Sequence, residues 1–431
     1  MPEPAASPSR RSAFPDWVLL DTVASVGRRC ENATTARTVT SSGHPIEVSF
    51  EVVDPPGLSR CVVYCPDQLT PRDTPRVTGA DGAFLLIRVC FPAGHTPTDV
   101  FLYKAGGPAG TPSLYLLPRP YPVDLHFNPV AVLSCRGGPG GVFTSDDHCL
   151  VVIPERRFEA GGRMLSYDLK IFSTKTESWS RKVARVASYL NGHYGGLARL
   201  EPTKVLNVGG GSLAWVDLWH GILFCNVLSE DPEMRLIPLP ALMPANKVNF
   251  QVVFDGCDPP LRSIRDVTCT NSGSIKFIEM ELVLDDDSSS NTATTRRYPW
   301  TATVWKTTVS SGGDYWEWCR TIDSSDLSPA DSCVPDLFPE IWDDEEKRLT
   351  LDSRVISHSP ILDMYRDHFV YMTSKLVGCW DPNGWVLAID TRNNKLERAV
   401  PFSAERMDFE DTKLQCAFSK HLSMGDPTAQ L

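Results

Sequence analysis

Short apolar runs recur along this chain from Trp17 to Ile389, and turn signals separate nearly all of them. That pattern limits the fold more than any other feature. A run of about four to eight residues bounded by Pro, Gly, Asn or Asp has room for a strand but not for a packed helix. The 35 prolines and 29 glycines supply the interruptions. Ile46 to Val53 shows the period of two most cleanly. Ile46, Val48, Phe50 and Val52 alternate with Glu47, Ser49 and Glu51, which predicts a half-buried strand.

Further strands are expected at Arg60 to Tyr64, Ala83 to Phe91, Val100 to Tyr103, Ser113 to Leu117, Val130 to Cys135, Cys149 to Ile153, Tyr167 to Ser173 and Trp179 to Val186. After residue 200 they are expected at Val248 to Phe254, Ser274 to Leu284, Thr301 to Thr308, Tyr315 to Thr321, Phe369 to Ser374 and Trp385 to Ile389. Between these two sets, residues 212 to 228 read as a hairpin: Leu213 to Leu218, a turn at His220-Gly221, then Ile222 to Leu228. Gly221 can take φ > 0, which a reversal often needs. A strand from Arg235 to Leu239 follows, closed by prolines.

A weak internal repeat adds to this. Leu169 to Ser173, Thr174, a polar turn and Trp179 are echoed by Val386 to Asp390, Thr391, a polar turn and Leu396. Thr301 to Thr308 followed by Tyr315 to Trp318 is a looser copy. Such units resemble the outer hairpins of propeller blades. The 431 residues exceed one sandwich, so the fold class expected is all-β and β-propeller-like, with six blades. One such domain is expected over residues 14–415, between a flexible tail at 1–13 and a C-terminal tail at 416–431.

Charge excludes some partners. Lys and Arg number 42 against 53 Asp and Glu, a net of −11, and no run is strongly basic, so nucleic acid is not expected. No apolar run approaches the roughly 20 residues of a spanning helix, so no membrane partner is expected. Met1 to Phe14 lacks the apolar core of a secretion signal. Thirteen cysteines, an odd number, lie scattered through apolar runs, among them Cys61, Cys90, Cys149, Cys225 and Cys379. Reduced thiols of that kind fit a cytoplasmic or nuclear protein.

Chemical motifs fail on their spacing. Cys61 and Cys65 stand without a second Cys/His pair to complete a zinc site. Gly210-Gly211-Ser212 is one residue short of a nucleophile elbow and leads into a strand. Gly137 to Gly141 lacks the Lys-Ser/Thr of a phosphate loop, and Pro139 removes a donor. No catalytic residue, metal site or cofactor is expected. Binding candidates are Trp316 and Trp318, which alternate with Glu317 and would share a face; Trp380 and Trp385, which flank Asp381 to Gly384; and His220 in its turn. Each has a plainer reading, as core packing for the indoles and turn capping for His220. Asp285 to Asn291 reads as a surface loop with serines beside acidic residues, suited to phosphorylation.

Trp215 to Leu228, with Arg235 to Pro240 behind it, resembles the signature of the plant domain-of-unknown-function 1618 family, abundant in grasses. Gly273 to Met280, Thr303 to Trp305 and the opening Pro15 to Asp21 are similar to that family as well. The resemblance is closest over about residues 215–345. It implies a plant protein with no established activity and a propeller similar to F-box-associated and kelch-type propellers. Asn226 stands where the family pattern has Asp, which weakens a carboxylate role there. No F-box helix is readable before the first strand, and the family has no catalytic residue to carry over. A non-catalytic protein-interaction module with a protein or peptide partner is the function expected. The alternative is a carbohydrate-binding, small-molecule-binding or enzymatic propeller with its site in the central channel.

Overall fold

The computed structural model describes residues 14–66, 71–92, 98–106, 111–119, 130–135, 147–158, 164–187, 200–247, 261–270, 273–282, 299–308, 315–330, 341–343, 345, 347–349, 351, 355–376, 383–403 and 413–422. Within them nearly every regular element is a strand; the helical pieces are short turns such as Leu261–Ser263 and Phe418–His421. The expected strand at Val248 to Phe254, the N-terminal tail, the Asp285 to Asn291 loop and Trp380 lie outside the described residues. The chain divides into two compact units: Met1–Pro120 with Ser134–Cys149 and Leu414–Leu431, and Tyr121–Leu133 with Leu150–Lys413.

The first unit opens with β1 (Val18–Asp21), β2 (Ser25–Val26), β3 (Ala36–Val39), β4 (Pro45–Glu51) and β5 (Leu58–Tyr64). The sheet runs Lys413–Cys416, then β1-β5-β4-β3, so strands from both ends of the sequence share it. β1 joins β5 in parallel, while β3, β4 and β5 are antiparallel. A second sheet is the meander β6 (Arg76–Asp81), β7 (Phe84–Cys90), β8 (Thr98–Lys104) and β9 (Ser113–Leu116). β4 is not half-buried as its alternation predicts: Glu47 and Ser49 are buried along with Ile46, Val48 and Phe50. Glu47 tolerates this because Arg29 and Arg37 both reach it at 3.0 Å, which holds its carboxyl below the usual range. Residues 416–422, expected as tail, are packed. Phe418 is fully buried, with its ring 4.7 Å from Phe50 and 6.2 Å from Tyr103.

Next along the chain, and mostly in the second unit, β10 (Ala131–Cys135), β11 (His148–Phe158), β12 (Met164–Ser173) and β13 (Ser178–Val186) form one meander. β14 (Lys204–Gly209), β15 (Ser212–Asp217), β16 (Gly221–Asn226) and β17 (Glu233–Pro238) form the next. A short parallel pairing, Arg185 opposite Glu233 and Val186 opposite Met234, joins them into one eight-stranded sheet. β18 (Arg265–Cys269), β19 (Ser274–Leu282), β20 (Trp300–Thr308) and β21 (Glu317–Asp323) make a four-stranded sheet in sequence order. β22 (Ser328–Pro329), the small ribbon of β23 (Trp342–Asp343) and β24 (Arg348–Leu349), and the meander β25 (Val355–Leu362), β26 (Phe369–Leu376), β27 (Asn383–Asp390), β28 (Lys395–Ser403) follow; β22 adds in parallel to the edge of β28. The last strand, β29 (Lys413–Cys416), is the one already placed beside β1.

The repeat seen in the sequence is the same hairpin built twice. Ser173 opposes Ser178 and Asp390 opposes Lys395, each pair closing a four-residue loop. The Ser173 hydroxyl accepts from Lys175 N–H, and the Asp390 carboxylate accepts from Arg392 N–H, so one side-chain-to-backbone bond starts both turns. Glu177 and Asn394, at equivalent positions, both take φ near +50°. The large apolar residue after the turn closes onto the strand before it: Trp179 opposes Phe172, and Leu396 opposes Ile389.

The signature hairpin forms as predicted, with the turn one residue earlier: Asp217 opposes Gly221 across residues 218–220. Gly221 has φ +153°, and a Cβ there would meet the Ile237 carbonyl oxygen at 2.5 Å. The position excludes a side chain because β17 runs directly alongside.

Candidate functional site

Charged side chains of the β18–β21 sheet serve two different ends. Arg265 and Glu279 face each other across β18 and β19 and are 1% and 0% exposed. Arg265 Nη2 and Nε lie 2.7 and 3.0 Å from Glu279 Oε2. Nη1 and Nη2 also donate to the Leu218 and Pro240 carbonyls, and the guanidinium lies 5.2 Å from the Phe277 ring centre. Glu279 Oε1 accepts from Met243 N–H and the Asn246 amide. Burial lowers the Arg265 pKa from its usual value, and Glu279 opposes that shift. Phe277 also stacks on Trp305 at 5.3 Å and meets Trp316 edge-on at 5.8 Å. Three stretches that carried the family resemblance therefore converge on one buried, multiply hydrogen-bonded pair. Such an arrangement holds sheets together; it presents nothing to a ligand.

The same sheet carries a second charged group at its surface. A cleft of about 310 Å³ lies between β19–β21 and the turn that opens β26. Lys276, Lys306, Arg320 and Arg392 line it, with Glu317 and Asp367, so cations outnumber carboxylates four to two. Lys276 is held by the Asp367 carbonyl at 2.7 Å and carboxylate at 3.0 Å. Lys306 lies 3.3 Å from Glu317, its partner across β20 and β21. Arg320 donates to Thr391 Oγ1 at 2.8 Å, and Thr391 donates onward to the His368 carbonyl. Arg392, in the turn after β27, is exposed and makes no side-chain ion pair or hydrogen bond within the described residues.

The cations converge because of a bulge. Trp305 opposes Trp318 and Val304 opposes Arg320, which leaves Cys319 as an extra residue in β21. Cys319 sits among the charges: burial raises its thiol pKa, while Lys306, Lys276 and Arg320 pull it down. Trp318 stands at the rim, 61% exposed, with Tyr315 at 75% beside it in sequence.

The candidates drawn from the sequence separate here. Trp316 and Trp318 do not act as a pair. Trp316 precedes the strand, packs part-buried on Phe277 and donates to the Pro238 carbonyl, whereas Trp318 lines the cleft. Trp385 is buried in the core and takes the packing role. His220 is partly exposed, with Nδ1 3.0 Å from Asp217, whose other oxygen accepts from the Trp219 and His220 N–H groups. That is a turn-closing function. Asn226 likewise accepts from Leu228 and Ser229 N–H, a task an amide oxygen does as well as a carboxylate. Cys61 is buried, which pushes its thiol up, and Cys65 lies beyond the end of β5. Sequence reasoning missed Lys276, Arg320 and Arg392. Their separation along the chain gives no local signal, and only the Trp318 alternation pointed toward the place.

One contact bears on hydrolytic chemistry. His358 Nδ1 lies 2.9 Å from Ser359 Oγ. Burial, reinforced by Lys413 and Lys375, lowers the His358 pKa to about 3. An imidazole that weakly basic is poorly matched to removing a serine proton near neutral pH. Among the described residues, no three His, Cys, Asp or Glu side chains are arranged to hold a metal ion, and no helix is long and apolar enough to cross a membrane.

These features define a nearly all-β, many-sheeted protein with a cationic cleft. Residues 215–371 match the family described as "Protein of unknown function (DUF1618)", which bears out the resemblance read from the hairpin and carries it past residue 345. A search of curated protein sequences gives no match. Among solved structures, a β-fructofuranosidase mutant of Microbacterium saccharophilum K-1 is 10% identical, with a TM-score of 0.23. The match covers 98% of this chain and 66% of that one, and at that score it carries no argument about function.

Proposed function

We propose that this protein is a non-catalytic protein-interaction module on a six-bladed, β-propeller-like scaffold. The observation that carries the interaction role is the cleft around Arg320: surplus positive charge beside the exposed Trp318 ring, in a chain whose net charge is −11. Charge of one sign gathered against the trend of the whole surface is an arrangement suited to steering a partner.

The blade count rests on the sheets. One mixed sheet containing β1 and β29, plus meanders β6–β9, β10–β13, β14–β17, β18–β21 and β25–β28, supplies six units. Within the second unit, the first strands β14, β18 and β25 are neighbours, as strands nearest a propeller axis would be. Asp266 on β18 reaches Lys204 of β14 at 2.7 Å and the Leu362 N–H of β25 at 3.0 Å. The proposal includes a plant origin and a cytoplasmic or nuclear location, supported by the family resemblance and by buried thiols outside any disulfide at Cys61, Cys90 and Cys225.

Affinity capture with the full chain from plant tissue, read by mass spectrometry, tests the module. A protein retained reproducibly and lost on Trp318→Ala supports it. Release of substrate-derived product by the purified chain, with no protein retained, overturns it.

A further inference from the structure

We infer that the cleft is the seat of an acidic, extended peptide segment of the partner; this rests on the interaction-module reading above. Part of the positive charge lining the cleft is already neutralised within the fold. Lys276 is committed to Asp367, and Lys306 shares Glu317. Arg320 uses one nitrogen on the neutral hydroxyl of Thr391, and the Arg392 guanidinium has no partner within the described residues. Two guanidiniums therefore meet the cleft without a carboxylate of their own. Arginine presents its donors in a planar fork that matches a carboxylate.

The second observation is the fixing of that fork. Thr391 takes Arg320 and gives its own hydroxyl and N–H to His368, so the turns after β25 and β27 are tied to β21 at one point. Arg320 is thus held in place before any ligand arrives, which lowers the ordering cost of binding. Arg392 sits one residue beyond Thr391, in a turn held by Asp390, and also lines the cleft.

The third concerns shape and class. β21 ends its sheet, and no described strand pairs with its outer edge. A strand edge without a described partner suits an extended chain, and Trp318 and Phe369 line the cleft as apolar footing. A polynucleotide fits poorly. Four cations neutralise few phosphates, and the rest of the chain repels a long polyanion. A short acidic peptide places its carboxylates only where the arginines are.

Peptide-display selection on the immobilised full-length chain tests this. The expected result is enrichment of Asp- and Glu-rich sequences. A synthetic, fluorescein-labelled winner should bind the double variant Arg320→Gln/Arg392→Gln on the order of tenfold more weakly or worse by anisotropy. Its binding should weaken with added salt and survive Arg392→Lys better than Arg392→Gln. Thermal melting verifies that the double variant is folded, and Arg392→Gln alone serves if it is not. Enrichment of neutral or basic peptides, no enrichment, or equal binding to the variant would overturn the proposal. A captured partner protein that binds the double variant undiminished would sink the cleft assignment and leave the module reading standing.

Discussion

Arg265 and Arg320 belong to the same sheet, yet their surroundings differ in kind. Arg265 is 1% exposed and spends its donors on Glu279, two backbone carbonyls and the Phe277 face. Arg320 is half-buried, has one neutral partner and faces a cleft with surplus positive charge. A buried charge has to be paid back inside the fold; a charge at a cleft can be left for something else to neutralise. The first arginine is architecture and the second is the one we propose for recognition, although both are equally basic letters in the sequence.

The sharpest way to break this contrast is Glu279→Ala. It leaves Arg265 buried without a counter-charge, orphans Met243 N–H and leaves the Asn246 amide only its bond to the Met280 carbonyl. A loss of about 3–5 kcal/mol is expected by denaturant unfolding. A loss under about 1 kcal/mol would mean the pair is not the lock described. Next comes Gly221→Ala, whose Cβ would strike the Ile237 carbonyl at 2.5 Å. About 2 kcal/mol of destabilisation is expected, as for other strained backbone positions. An unchanged melting temperature would show that β17 can yield.

His358 sharpens the comparison through pH. Its folded pKa of about 3 lies below the unfolded value of 6.5, so the unfolded chain takes up the proton first. Its stability contribution is therefore intact above pH 6.5 and declines as pH falls toward 3. The decline reaches about 2 kcal/mol by pH 5. Unfolding curves of the native chain and His358→Gln should diverge over that window and nowhere above it. Parallel curves would remove the buried imidazole from the account. The smallest expected stability effect is that of Arg392→Ala, within about 0.5 kcal/mol, in contrast to its expected effect on peptide binding. A large destabilisation there would place Arg392 with Arg265 rather than with Arg320.

Much of the architecture could be read before folding was considered. The period of two, the Pro and Gly punctuation and the repeated Thr-turn-apolar unit led to strands that are present at Phe84–Cys90, Met164–Ser173 and Asn383–Asp390. Strands with weaker patterns escaped notice. β18 (Arg265–Cys269) hides behind its arginine and aspartate, and both are buried because partners from other strands satisfy them. Of the candidate binders, the alternation Trp316-Glu317-Trp318 was legible, but the bulge at Cys319 and the docking of Trp316 on Phe277 were not.

By itself the sequence determined the kind of element at most positions and the turns between them, because strand periodicity and turn chemistry act over a few residues. Which charges became structure and which became surface was decided only by the tertiary arrangement. Glu279 meets Arg265 from 14 positions away, and Arg320 meets Thr391 from 71. Pairing across such distances depends on sheet register and neighbouring sheets, and no local pattern encodes it.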